Sequence, residues 1–252
     1  RPQTSSGALP RSTADASHEL KTPLTVVRAD VERAMHPSTS KQERMQALEE
    51  AMQEIARMSD LVDSLLTLAR ADEGRFDLHR EPTSLEPLVR DVFETALILG
   101  EDAGVTVSLP LVEDAVIQGD SARLRQLFLN LITNAIKYTP RGGHVEITLS
   151  MRNNNEIGFT VRDNGVGIAA ADLPHIFDRF WRADKVRSRR ITDGRGVLER
   201  GGFGLGLAIA QWIAQAHGGT LTAQSRLGRG STFTVHLPVV LTEAGQPVVI
   251  NS

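Results

Sequence analysis

Residues 130–138 read Asn130-Leu131-Ile132-Thr133-Asn134-Ala135-Ile136-Lys137-Tyr138, and their spacing governs the reading of the fold. Asn130, Asn134 and Lys137 recur at i, i+4 and i+7, which is one face of an α-helix. Leu127, Leu131, Ala135 and Tyr138 fall on the opposite side, so a helix predicted over Ser121–Tyr138 is amphipathic and lies against a core. Two amide oxygens and an ammonium on one stripe suit a hydrated Mg2+ with a triphosphate. Magnesium takes oxygen ligands and keeps several waters, and lysine offers phosphate a point charge. A solvated polar face is the plainer reading of the same spacing.

Around this helix, short strand-like runs alternate with helical segments. The runs are Val105–Leu109, Val116–Gln118, His144–Leu149, Ile157–Arg162, Thr220–Ser225 and Thr232–Leu237; the further helices are Leu85–Gly100 and Gly204–Ala216. This order predicts helices on one face of a mixed sheet. Directly after a strand comes Asp163-Asn164-Gly165-Val166-Gly167-Ile168. A carboxylate at a strand end, with two glycines beside it, lets backbone approach a flat ligand, and it accepts the hydrogen bonds that an adenine amino group donates. An ordinary Asp-Asn-Gly turn is the alternative. Gly201-Gly202-Phe203-Gly204-Leu205-Gly206-Leu207 leads into the last helix, whose exposed amides suit a phosphate. The glycine spacing is not that of a dinucleotide fingerprint, and no Gly-Lys-Ser/Thr of a P-loop occurs. Between these segments lie Phe177-Asp178-Arg179-Phe180-Trp181-Arg182 and a basic stretch holding Lys185, Arg187, Arg189, Arg190 and Arg195. That stretch is expected to act as a lid over phosphates, or else to be a solvated loop.

Upstream the texture differs. Leu20, Leu24, Val27, Val31 and Ala34 mark one face of a helix from about Thr13, capped by Ser12 or Thr13, to Met35. His36-Pro37-Ser38-Thr39-Ser40 is a turn. A second helix runs from Lys41 to Ala71, with a stripe of Met45, Leu48, Met52, Ile55, Met58, Val62, Leu65 and Leu66. Such a hairpin cannot cover both stripes alone, and pairing two copies into a four-helix bundle would. His18 lies off the apolar face of the first helix. Glu19 beside it can accept an imidazole proton, and Thr22 stands one turn away with a hydroxyl. Pro23 removes a helical hydrogen bond, so a local kink is expected there.

The chain has 252 residues, 40% hydrophobic and 23% charged, with net charge -3. A core is expected, and no basic surplus points to nucleic acid. The absence of cysteine excludes disulfides, thiol catalysis and thiolate metal sites. No apolar run approaches the roughly 20 residues needed to span a bilayer. Expected domains are a polar lead-in at 1–12, a helical hairpin at 13–72, a linker at 73–82, an α+β domain at 83–240 and a tail at 241–252.

Taken together, these residues resemble the sensor histidine kinases of bacterial two-component systems. Five motifs occur in that family's order: the phosphoacceptor box (SHELKTPLT), the asparagine box (NLITNAIKYTP), the first glycine box (DNGVGI), the phenylalanine box (FDRFWRAD) and the second glycine box (GGFGLGLAIA). A closing GRGSTFTVHLP matches its final strand. The resemblance implies a dimerisation and histidine-phosphotransfer hairpin, then a gyrase-like α/β sandwich that binds ATP and Mg2+. It makes His18 the phosphoacceptor, Glu19 the base and Thr22 the residue that serves dephosphorylation of the partner. Asn130 and Asn134 would hold Mg2+, Lys137 would contact phosphate and Tyr138 would pack at the adenine. Asp163 would read the adenine amino group in a pocket shaped by Gly165 and Gly167, while Gly202, Gly204 and Gly206 would hinge and anchor the lid. Ile168, Arg182, Leu205 and Leu207 complete the implied nucleotide site.

Three positions depart from the family's pattern: the stretch Val186–Arg200 is longer than the usual lid, Lys21 replaces a more frequent arginine, and Ser231 replaces a threonine but keeps the hydroxyl. The implied activity is phosphorylation of His18 from ATP and transfer to an aspartate of a response regulator. The implied location is cytoplasmic for this chain, with the full-length protein anchored in the inner membrane. A hydrolase of the same fold, such as gyrase or a heat-shock chaperone, uses a glutamate where this chain has Asn130, and an amide is no base at neutral pH. A scaffold that only dimerises would not need Asp163 or the asparagine pair. Glu19→Gln is expected to slow autophosphorylation and to spare ATP binding.

Overall fold

The computed structural model describes residues 9–74, 77–153, 155–182 and 202–241. The chain divides into two compact units at Phe76/Asp77.

The first unit is a helical hairpin of α1 (Leu9–Met35) and α2 (Lys41–Asp72). Helix α1 starts earlier than the capping residues Ser12 and Thr13 predict, so residues 9–12 of the expected lead-in are helical. Pro10 explains the misreading: a proline suggests disorder, but in a first helical turn it lacks only an amide that would go unpaired anyway. The helix continues through Pro23, whose ring is buried. Ser40 starts α2 with a capping box, its hydroxyl accepting from the Glu43 amide at 3.3 Å while Glu43 accepts from the Ser40 amide at 2.9 Å. The Ser40 hydroxyl, which donates to Glu43 Oε2 at 2.7 Å, and then the Ser40 amide hold the Glu43 carboxyl below its ordinary range.

The apolar residues of the hairpin form two seams where the sequence suggested one stripe. Pro23 and Ala34 of α1, with Ala47, Ala51, Leu61 and Leu68 of α2, are buried within the hairpin. Small side chains there let the two backbones come close. Leu24 and Val31 stay 58% and 37% exposed, and Met45, Leu48, Met52, Ile55, Val62 and Leu66 form a second, exposed seam on α2. Steps of three, four and seven along that seam are the spacing of a helix–helix contact.

The second unit contains β1 (Glu81–Ser84), α3 (Leu85–Ala103), β2 (Thr106–Val112), β3 (Val116–Gly119), α4 (Ser121–Tyr138), β4 (His144–Asn153), β5 (Glu156–Asp163), a 3-10 turn (Leu173–His175), α5 (Gly206–Ala216), β6 (Thr220–Arg226) and β7 (Gly230–Pro238). Strands β1 and β3 pair antiparallel. The other five run in the order β2-β4-β5-β7-β6, parallel only between β2 and β4. Strand β1 starts inside the expected linker at 73–82, because Pro82 reads as a strand breaker; in a two-stranded ribbon both strands are edges, where proline is tolerated. Helix α3 ends at Gly104, in the left-handed conformation at φ 66, and α5 starts two residues later than expected.

The helices cover one face of the sheet. Phe128 of α4 stacks on Phe159 of β5, ring centroids 4.0 Å apart, among Leu124, Leu127, Leu131, Ile132, Ile136, Ile147 and Leu149, all fully buried. The inward residues alternate with polar ones, as a sheet covered on one side requires. Thr148, Thr160, Thr234 and Thr222 stand in one row across the other face. Beyond the expected end at 240, Leu241 still belongs to this unit through a bridge, next to Val240, whose amide donates to Val116 at 2.7 Å. Residues 242–252 lie outside the described residues.

Candidate active site

Helix α1 presents His18 to solvent with Thr22 one turn on, and Glu19 beside it is half-buried. The Thr22 hydroxyl donates to the His18 carbonyl at 3.4 Å. Imidazole, carboxylate and hydroxyl therefore sit on one short stretch of a regular helix, with the imidazole accessible.

In the second unit, α4 is fixed at its start by Asp120, whose Oδ1 accepts from the Arg123 amide at 3.1 Å. His217 reinforces that start: its Nε2 accepts from the Asp120 amide at 3.0 Å, and its Nδ1 donates to the Ile213 carbonyl at 2.8 Å. The ring ties the end of α5 to the beginning of α4. Desolvation, first of all, holds His217 below its ordinary pKa; the bond to the Ile213 carbonyl opposes it, the Arg80 charge lowers it further and Asp120 raises it.

At the other end of α4 the polar stripe meets two glycine-bearing loops. Asn130 donates from Nδ2 to the Gly206 carbonyl at 3.1 Å, joining α4 to the first turn of α5. That turn lacks a side-chain cap. Asn134 and Lys137 are half-buried on the same face of α4. Burial, and then the positive charge of Arg182, push the Lys137 ammonium down to about 8. Its Nζ lies 5.3 Å from the Tyr138 ring. Tyr138 is partly exposed at the helix end instead of packed with Leu127, Leu131 and Ala135 as its helical position suggested, and burial of its hydroxyl raises its pKa.

Asp163 ends β5 with its carboxylate buried. Oδ1 accepts from the Gly165 amide at 2.8 Å and from the Ser231 amide at 3.2 Å. Burial raises the Asp163 pKa and these two amides oppose the rise. The loop after Asp163 leaves no room for a side chain at Gly165 or Gly167. A Cβ on Gly165 would run into the Tyr138 carbonyl and Asp163 Oδ1, and one on Gly167, at φ 66, into the Arg226 carbonyl. Val166 donates to the Tyr138 carbonyl at 3.1 Å, so this loop and the end of α4 are joined directly. Ile168, half-buried, follows them.

The phenylalanine and second glycine boxes also meet. The Phe180 amide donates to the Gly204 carbonyl at 3.0 Å, and Phe180 adopts φ 61, a costly conformation for a bulky side chain. Leu205 is buried, Leu207 half-buried and Gly202 exposed, with Lys137 Nζ 4.0 Å from the place of a Gly202 Cβ. Thus Asn130, Asn134, Lys137, Tyr138, Asp163, Gly165, Gly167, Ile168, Arg182, Gly202, Gly204, Leu205, Gly206 and Leu207 all belong to the second unit, while His18, Glu19 and Thr22 belong to the first. The expected lid, Val186–Arg200 with Lys185 and Gly201, lies outside the described residues. Among the described residues no group of three or more His, Cys, Asp or Glu side chains is placed to hold a metal.

An exposed histidine with a neighbouring carboxylate thus stands in one chain with a one-sided α/β sandwich that carries a buried strand-end aspartate. Residues 11–74 match the family "His Kinase A (phospho-acceptor) domain" and residues 119–241 match "Histidine kinase-, DNA gyrase B-, and HSP90-like ATPase". The chain belongs to the sensor histidine kinases. It is 38% identical over 229 residues to the sensor histidine kinase RppB of Synechocystis, covering 90% of this chain and 48% of that protein. With the sensor histidine kinase WalK of Bacillus subtilis it shares 36% over 230 residues, 89% of this chain and 36% of that protein. The chain therefore spans about half or less of these relatives. Among solved structures, the Acinetobacter baumannii histidine kinase AdeS shares the fold, with TM-score 0.69 and 23% identity over 88% of this chain and 98% of that one. Full-length ShkA in complex with AMPPNP superposes with TM-score 0.67 and 27% identity, over 94% of this chain and 47% of that one. Among the described residues no helix is long and apolar enough to cross a membrane.

The sequence reading missed Ser225, which holds three groups around the Asp163 loop, and the positive φ of Phe180. Neither leaves a local signature, since both depend on segments brought together by folding.

Proposed function

We propose that the chain binds ATP with Mg2+, transfers the γ-phosphoryl group to His18, and passes it to an aspartate of a response regulator. The observation that carries this reading is Asn130. Its amide nitrogen is committed to the Gly206 carbonyl, which leaves a neutral oxygen where a hydrolase of this fold needs a carboxylate to activate water. The carboxylate is instead Glu19, next to an exposed imidazole.

In this reading Asp163 accepts the adenine amino group, with its Oδ1 already held by Gly165 and Ser231. Gly165 and Gly167 let the purine lie against backbone, and Tyr138 and Ile168 flank it. Lys137 and Arg182 face the phosphates: both influences on Lys137 disfavour its charge, and a polyphosphate would reverse that imbalance. The uncapped amides at the start of α5, with Gly202, Gly204, Leu205, Gly206 and Leu207 around them, face the same anion. Asn130 and Asn134 offer amide oxygens to Mg2+, which when bound offsets phosphate charge. A neutral nitrogen of His18 then forms a bond to the γ-phosphorus as the bond to the bridging oxygen of ADP breaks. Glu19 takes the proton from the other ring nitrogen. Thr22, bonded to the His18 carbonyl, is placed to orient water for dephosphorylation of the regulator.

The exposed seam from Met45 to Leu66 is covered by a second copy of the hairpin, giving a homodimeric four-helix bundle. ATP is a cytoplasmic metabolite, so the chain works on that side of the membrane, with the full-length sensor anchored in the inner membrane. The test is incubation with γ-labelled ATP and Mg2+, wild type beside His18→Gln. Acid-labile label on the wild type alone supports the reading; label on both moves the acceptor elsewhere. ATP bound without label on either leaves a phosphatase, and Thr22→Ala then tests it.

A further inference from the structure

Past Asn164, which is paired with His144, the loop of residues 165–168 is held from three sides. Val166 donates to the Tyr138 carbonyl at 3.1 Å, and Gly228 donates to the Val166 carbonyl at 2.7 Å. Both bonds are backbone to backbone. The third runs through a side chain: the Ile168 amide donates to Ser225 Oγ at 2.8 Å. Ser225 Oγ also lies 2.8 Å from the Gly230 carbonyl and 2.9 Å from Ser231 Oγ.

A serine hydroxyl has one proton and two lone pairs, and this geometry uses all three. The proton goes to the Gly230 carbonyl, which can only accept. One lone pair receives the Ile168 amide. The other must therefore receive the proton of Ser231, so Ser231 Oγ keeps only lone pairs for any further partner. Its own backbone amide donates to Asp163 Oδ1. Gly230 sits so close to the end of β5, at φ 88, that a Cβ there would meet the Asp163 carbonyl and lie 2.8 Å from Asn164 Cα. One hydroxyl thus sets the Asp163 loop, the β6–β7 turn and the proton direction of Ser231 together.

We propose that Ser225 is a positioning residue for the purine end of the nucleotide site: it fixes the loop at Ile168 and makes Ser231 an acceptor beside Asp163. This rests on the ATP reading given above. Ser225 itself touches no reacting atom, so its loss weakens nucleotide binding and leaves phosphoryl transfer intact once nucleotide is bound.

The test compares Ser225→Thr and Ser225→Val, which have the same shape and differ by the hydroxyl. Dissociation constants for ADP and for inorganic tripolyphosphate are measured by calorimetry, with KM and kcat for labelling from ATP. The Thr variant should match the wild type. The Val variant should lose about tenfold in ADP affinity, the value of one to two hydrogen bonds. Its KM for ATP should rise alike, with kcat within about twofold and tripolyphosphate affinity unchanged. Equal ADP affinity in the Thr and Val variants overturns the proposal, and so does an equal loss of tripolyphosphate binding, which marks general damage to the domain. Wild type that binds tripolyphosphate but no ADP sinks the ATP reading itself, and this proposal with it.

Discussion

Asn130 and Gly206 are joined by a 3.1 Å hydrogen bond from the asparagine amide to the glycine carbonyl. This bond links the helix bearing the polar stripe to the first turn of α5, and it settles which way the Asn130 oxygen is directed. Asn130→Asp replaces the donor with an acceptor facing a carbonyl. Label transfer to His18 should fall at least about tenfold, and urea unfolding should show a loss of about 1 kcal/mol.

Lys137 titrates near 8 in the free protein because burial and Arg182 oppose its charge. A bound polyphosphate favours the ammonium and raises that pKa. Binding at pH 8 should then take up protons, seen as a dependence of calorimetric heat on buffer ionisation enthalpy. The uptake should vanish at pH 6, where the free lysine is already charged. Affinity should fall as pH rises above about 8, and Lys137→Arg should abolish the proton uptake.

Glu19→Gln retains size and loses the carboxylate that the proposed mechanism uses as base. Autophosphorylation should slow by roughly 100-fold or more, while the dissociation constant for ADP stays at the wild-type value. An unchanged labelling rate would remove Glu19 from the mechanism.

His217 is held neutral by burial, against the opposing bond from its Nδ1 to the Ile213 carbonyl, while its Nε2 accepts from the Asp120 amide. Its folded pKa lies below the unfolded one, so its contribution to stability is complete above an unfolded value of ~6.5 and is lost as pH falls toward the folded value. Urea unfolding at pH 7.5, 6.5 and 5.5 should show declining stability, with a shallower decline in His217→Gln. His236 also has a lowered pKa, from burial and Arg152, and supplies the slope that persists in the variant.

The proposed dimer assigns folding to one seam of the hairpin and association to the other. Met52 is 65% exposed and Ala51 is 4% exposed, although they are neighbours in sequence. Met52→Asp should leave helicity unchanged and shift the chain from dimer to monomer in light scattering. Ala51→Asp should melt the hairpin itself, with a cost of about 2 kcal/mol or more for a buried unpaired polar group.

Helix α4 was legible to the residue, because a polar stripe at i, i+4 and i+7 opposite a run of leucines has only one regular solution. The glycine loops were legible as loops, since their composition admits little else. Periodicity alone could not divide the hairpin's apolar residues into two seams: Leu48 and Ala47 both sit on apolar sides of α2, and only packing shows which side faces α1. Pro10 and Pro82 misled for one reason, that a proline signals a break without revealing whether its position needs an amide. Ser225 was invisible because its three partners lie 5 to 57 residues away and meet only when β6, β7 and the Asp163 loop close together.

The row of Thr148, Thr160, Thr234 and Thr222 crosses the face of the sheet that the helices leave bare, in a chain without a single cysteine. Thr222 is exposed at the end of that row. A lone Thr222→Cys would be the sole thiol in the molecule, on the opposite side of the sheet from Phe128 and the rest of the core. A fluorophore attached there would follow the ATP-binding domain as a reporter without entering its packing.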